Sequence, residues 1–89
     1  MELQKFGKKQ ATTPLGEAIR KLRVQTLTSQ ELFGAECGVV PRTVSLWEQG
    51  KAVPTPAHAQ AIITTAGEYQ VSFEYVDSFM SEYVTKAEI

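Results

Sequence analysis

Punctuation, more than composition, limits what this chain can become. Two Thr-Pro pairs, Thr13-Pro14 and Thr55-Pro56, and the glycines Gly38, Gly50 and Gly67 divide most of it into short pieces. Threonine is a good N-cap, proline suits the first helical position, and glycine accepts the left-handed conformation that ends a helix. Between these marks the apolar residues recur at helical spacing. LGEAIRKLRV sets Leu15, Ala18, Ile19 and Leu22 at the i, i+3, i+4, i+7 positions of an amphipathic helix. Glu17 near its start and Lys21 and Arg23 near its end match the helix dipole, and the helix is expected to end between Val24 and Thr26.

The second helix has two possible entries. Thr28 with Glu31 has capping-box spacing, and Ser29 is an equally good N-cap one residue later. QELFGAEC then runs to Gly38. After Val39-Val40, Pro41 opens a third helix to Gln49, closed by Gly50, with Val44 and Trp47 on one face. A fourth runs from Thr55-Pro56 through Ala66 and stops at Gly67, with Ala59, Ile62, Ile63 and Ala66 inward. Ser72 caps a fifth, FEYVDSFMSEYVTK, whose Phe73, Val76, Met80, Tyr83 and Val84 form one apolar stripe. The reading is all-α: five helices, no strand and no internal repeat.

Eighty-nine residues leave room for one core. No apolar run approaches a membrane span, and the lysines of MELQKFGKKQATTP lack the apolar stretch of a secretory signal. A single cysteine suits a reducing cytoplasm. The net charge of −1 conceals a split. Residues 1–51 hold eight of the nine basic side chains (Lys5, Lys8, Lys9, Arg20, Lys21, Arg23, Arg42, Lys51) against five acids, for +3. Residues 52–89 hold Lys86 against Glu68, Glu74, Asp77, Glu82 and Glu88, for −4. Where charge sits bears more on a nucleic-acid partner than its sum.

Two short helices joined by a glycine turn, with a longer helix before and two after, follow the helix-turn-helix plan. LGEAIRKLR, SQELFGAECGV and above all TVSLWEQGKAVP resemble the Cro/lambda-repressor-like, or XRE-type, helix-turn-helix regulators over Leu15 to about Ala66. The resemblance implies a five-helix lambda-repressor-like fold with its DNA-binding domain over 13–67; the residues before it read as a flexible basic arm (1–12), and those after it as a C-terminal helix for dimerisation (68–89), neither with a match in the family. It implies a sequence-specific binder of double-stranded DNA, a small homodimeric repressor on an inverted-repeat operator. Its reading helix lies near 41–49, with its N-terminal end toward base edges.

By family position Pro41, Arg42, Ser45 and Leu46 face DNA. Arg42 can bind guanine O6 and N7 together, Leu46 offers apolar contact such as to a thymine methyl, and Thr43 and Ser45 are short hydroxyls for a base edge or phosphate. Gln30 matches a phosphate-contacting position, and Lys51 with the backbone around Gln49 and Gly50 would hold a second phosphate. Lys5, Lys8 and Lys9 are either a solvated tail or an arm that reaches DNA. Arg23 and Glu48 are expected to form a partly buried ion pair that orients the reading helix, with Trp47, Phe33, Cys37, Val39 and Val44 in the core and Gly34 at a close helix approach.

Four positions, in three places, depart from the family pattern. Val40 stands where Ser or Thr usually caps the reading helix, Leu27-Thr28 replaces the usual Gly-Leu, and Leu46 replaces a polar residue before Trp47. The base-reading surface is correspondingly thin. Two other roles fit the same fold: the DNA-binding antitoxin of a toxin–antitoxin pair, and a protein-interaction module that does not bind DNA.

No catalytic constellation, metal site or cofactor site is expected: His58 stands alone and Cys37 reads as a small core side chain. With Phe79 added, the apolar surface of Phe73, Val76, Phe79, Met80, Tyr83 and Val84 exceeds what covering so small a core requires, and part of it is expected to form a two-fold interface. A cytoplasmic, nucleoid-associated regulator with a possible protein partner and no membrane is the resulting expectation.

Overall fold

The computed structural model describes residues 12–87 of the chain. Five helices follow one another: α1 (Pro14–Thr26), α2 (Gln30–Cys37), α3 (Pro41–Glu48), α4 (Pro56–Glu68) and α5 (Phe73–Ala87). Lys5, Lys8 and Lys9 lie outside the described residues.

Short side-chain caps start three of the helices. Thr13 Oγ1 accepts from the Gly16 N–H at 3.0 Å, Ser29 Oγ from Leu32 at 3.1 Å and Thr55 Oγ1 from His58 at 3.2 Å. Each satisfies an N–H that the helix itself leaves unpaired, worth about 1 kcal/mol. Ser29 rather than Thr28 is therefore the cap of α2. Thr28 turns inward instead, buried, with its hydroxyl 2.6 Å from that of Thr26. Val40 gives α3 no side-chain cap, but Pro41 at its head has no N–H to satisfy.

The helix ends differ from the sequence reading in two places. α3 stops at Glu48, with Gln49 as its C-cap and Gly50 at φ 78° beyond. α4 does not stop at Gly67 but runs on to Glu68, and the left-handed residue is Gln70 at φ 59°. The cause is Val71, whose N–H returns to the Ala66 carbonyl at 2.9 Å while its side chain packs on the core. The extra half-turn brings that valine round. α1 ends on another non-glycine, Leu27 at φ 62° and 92% exposed, where the family pattern has glycine.

α1 lies at the centre, against α3, α4 and α5, and α2 packs on α3 and α4. The core takes Leu15, Ala18, Ile19 and Leu22 from α1, Phe33 and Cys37 from α2, and Val44 and Trp47 from α3. Ala59, Ile62 and Ala66 come from α4 and Phe79 from α5. Val39 and Ile63, expected inside, only flank it.

Two glycines inside helices permit close approaches to neighbouring backbone. A methyl group on Gly34 would sit 2.8 Å from the Val39 carbonyl oxygen and 3.2 Å from a Val44 methyl. One on Gly16 would sit 2.6 Å from the carbonyl oxygen of Glu48 and 2.8 Å from that of Trp47. The head of α1 thus meets the tail of α3 backbone to backbone.

The stripe on α5 is split by the packing. Phe79 is fully buried, and Val76 and Tyr83 are half-buried against the core. The Tyr83 hydroxyl donates to the Pro54 carbonyl at 2.9 Å. Phe73, Met80 and Val84 remain exposed. Met80, Tyr83 and Val84 join Pro56, Ala59, Gln60 and Ile63 around a shallow apolar groove of about 210 Å³ between α4 and α5.

Candidate nucleic-acid interface

α3 is about two turns long, and its two sides have opposite tasks. Val44 and Trp47 point inward and are buried, Trp47 with its ring 5.8 Å from that of His58. On the other side Pro41 and Arg42 are exposed, and Thr43, Ser45 and Leu46 are half-buried but reach the surface. Gln49 and Lys51 continue this side past the helix end, both exposed. The turn that carries them is closed by the Lys51 N–H donating to the Leu46 carbonyl at 2.9 Å.

One carboxylate fixes the direction of α3. Glu48 accepts from Arg23 Nε at 2.5 Å, from a second Arg23 nitrogen at 3.2 Å and from Gln30 Nε2 at 3.0 Å. Arg23 also donates to the Thr28 carbonyl at 2.8 Å. A single acid thereby joins α1, the start of α2 and the end of α3. The side chains of Arg23 and Glu48 are 14% and 6% exposed, so neither charge is well hydrated and each depends on the other. Because the charge of Glu48 is taken up inside, the outward charges over 41–51 are those of Arg42 and Lys51, both positive.

Three contacts here are not foreshadowed by the pattern of apolar residues. Gln30 is engaged with Glu48, so phosphate contact at this position would fall to its remaining amide hydrogen and to the backbone at the start of α2. Gln49 Nε2 donates to Ser45 Oγ at 2.8 Å, one turn back along the outer face. Thr12 Oγ1 donates to the Glu48 carbonyl at 2.5 Å, fixing the chain just before α1 beside the tail of α3. Gly16, in the first turn of an otherwise good helix former, was the available sequence signal for that last contact: an interior glycine costs helix stability unless something needs the space.

The remaining candidates are placed as follows. Cys37 is buried, its Sγ 3.8 Å from the Thr65 hydroxyl. Burial pushes its thiol pKa up, the Thr65 contact offsets part of the rise, and neighbouring Glu36 adds to it. Among the described residues no three His, Cys, Asp or Glu side chains gather as a metal site would require, and no helix is long and apolar enough to cross a membrane.

A helix-turn-helix family model matches residues 19–75, from within α1 to the first turn of α5. The chain belongs to the Cro/lambda-repressor-like (XRE-type) helix-turn-helix family. No match was found among curated proteins or among solved structures. As a member of the helix-turn-helix family the chain carries a DNA-binding domain of the transcription-regulator type. In this helix-turn-helix domain α2 and α3 are the two motif helices, and Gly38 at φ 81° begins the turn between them.

Proposed function

We propose that this protein is a sequence-specific repressor that binds an inverted-repeat operator as a homodimer, each protomer laying the N-terminal end of α3 in a major groove. One observation carries the reading. Among the described residues the outer side of α3 reaches the surface and is positively charged, while its inner side is anchored by Val44, Trp47 and the Arg23–Glu48 pair. A helix held this way can present side chains to base edges without first having to order itself.

Arg42 is the principal base reader, its planar fork suited to guanine O6 and N7. Pro41, Thr43, Ser45 and Leu46 complete the reading side, and Leu46 supplies apolar contact. Gln30 at the head of α2 and Lys51 beyond α3, with the backbone at Gln49 and Gly50, hold phosphates on either side. Lys5, Lys8 and Lys9 add attraction to the DNA backbone. Phe73, Val76, Met80, Tyr83 and Val84 supply the two-fold contact, of which Met80 and Val84 are the exposed part beside the α4–α5 groove. Dimerisation doubles the phosphate contacts and sets two half-sites about one helical turn apart. A DNA-bound regulator of this kind works in the cytoplasm.

Selection of bound duplexes from a random pool tests the proposal. Enrichment of a two-fold symmetric site, with affinity for random duplex falling steeply as salt rises, supports it. No binding to any duplex at low salt would mean that the fold serves protein contacts instead.

A further inference from the structure

We propose that Gln49 sets the hydrogen-bonding polarity of Ser45, and through it the kind of base that α3 reads one turn beyond Arg42. The inference rests on α3 being the reading helix. A serine hydroxyl has one proton to give and two lone pairs to receive with, so on its own it discriminates poorly between base edges. In a helix its proton commonly goes to the carbonyl four residues back, leaving lone pairs outward. Thr85 on α5 does this, donating to the Ser81 carbonyl at 3.0 Å. Ser45 is held in another way. The Gln49 amide donates to Ser45 Oγ at 2.8 Å, and among the described residues the hydroxyl gives its proton to no protein acceptor.

The amide takes one of the two lone pairs and leaves the proton free, so Ser45 is biased toward donating, in keeping with Arg42 one turn earlier and its five N–H groups. The backbone adds to this bias: Val40 offers no side-chain cap to the first turn of α3, so the positive end of the helix is left open toward the DNA. Guanine and thymine present keto oxygens in the major groove, whereas adenine and cytosine present amino groups there. A donor at Ser45 is met by the keto oxygen of guanine or thymine or by a purine N7 but not by cytosine, and apolar Leu46 beside it favours thymine, whose methyl group it can cover.

The decisive variant is Gln49→Glu. A carboxylate cannot donate, so Ser45 must give its proton to it and turn lone pairs outward, which inverts the preference. Gln49 is exposed at the C-cap, so the change leaves the core alone. Duplexes selected from a random pool by the wild type, by Q49E and by Gln49→Met are to be compared at each position. The expected result keeps guanine opposite Arg42 in all three. At the neighbouring position, where the wild type excludes cytosine and favours thymine, Q49E takes cytosine or adenine on the same strand. Gln49→Met loses roughly five- to tenfold of discrimination there without acquiring a new preference. The added negative charge weakens Q49E on every sequence, so the readout is base identity and not affinity. If Q49E enriches the wild-type site unchanged, or loses the guanine as well, the role given to Gln49 is overturned while recognition by α3 stands. If the wild type enriches no site at all, recognition by α3 fails and this inference falls with it.

Discussion

At the scale of single residues, the molecule separates side chains that hold the fold from side chains that stand at its surface. Arg42 stands clear of the protein, so Arg42→Ala should leave stability unchanged, cost roughly 1–3 kcal/mol at the selected operator and relax one base position. Lys51→Ala should weaken every duplex about equally and lower the salt slope by about one, which a titration of random and cognate DNA would reveal. Glu48 is the opposite case. Glu48→Ala would strand the Arg23 guanidinium with the Thr28 carbonyl and leave the Gln30 amide without its acceptor. A loss of about 3 kcal/mol in urea unfolding is expected, and a loss below about 1 kcal/mol would show that the carboxylate is not the joint described. Cys37 makes a pH prediction. Its raised pKa means that the folded chain keeps the thiol proton where the unfolded chain has released it. Stability is therefore full below the ordinary thiol value of 9.0 and falls as pH rises past it. Cys37→Ser should flatten that alkaline decline in a series of melting curves.

At the scale of elements, the decisive matter is how helices begin, end and approach. For α2 the sequence offered Thr28 and Ser29 equally, whereas the caps Thr13 and Thr55, the glycine turn at Gly38 and the inward stripe of α1 could all be read from it. They are local, and their chemistry depends only on neighbours a few residues away. What escaped was set by contacts across the chain. Gly67 looks like a helix stop, yet α4 passes through it because Val71 must reach the core. Thr28 looks like a cap but is drawn inward beside Thr26. Gln30 reads as a phosphate contact by position, and its partner Glu48 lies eighteen residues further on. Leu27 shows the same override, since packing of α1 against its neighbours holds an exposed leucine at φ 62°. Leu27→Gly should therefore stabilise the fold by about 1 kcal/mol, because glycine adopts that conformation without strain. Gly16→Ala should cost about 1–3 kcal/mol, because its methyl group would meet the Glu48 carbonyl oxygen at 2.6 Å and push α1 from α3. Chemical denaturation of both variants would decide, and an unaffected G16A would mean that the two helices are not in contact there.

At the scale of the whole molecule, the charge division and the apolar groove concern how two copies would stand on DNA. The basic half contains the motif, and the acidic half contains all of α4 and α5. A two-fold contact through the exposed part of α5 would then leave the positive sides of both protomers turned toward the duplex. Met80→Lys with Val84→Glu places charge where the side chains are already at the surface, so each protomer should fold while the pair separates. Tyr83 is the poorer probe, since its hydroxyl is bonded to Pro54. Sedimentation of the double variant should give the monomer mass, with affinity for the operator sharply reduced; an unchanged mass would remove this interface. The two-sided construction of α3 has a practical corollary. Because Val44, Trp47 and Glu48 secure that short rod from behind, positions 42, 43, 45 and 46 can be exchanged as a cassette, and libraries that retarget the protein to new operators should lose few members to unfolding.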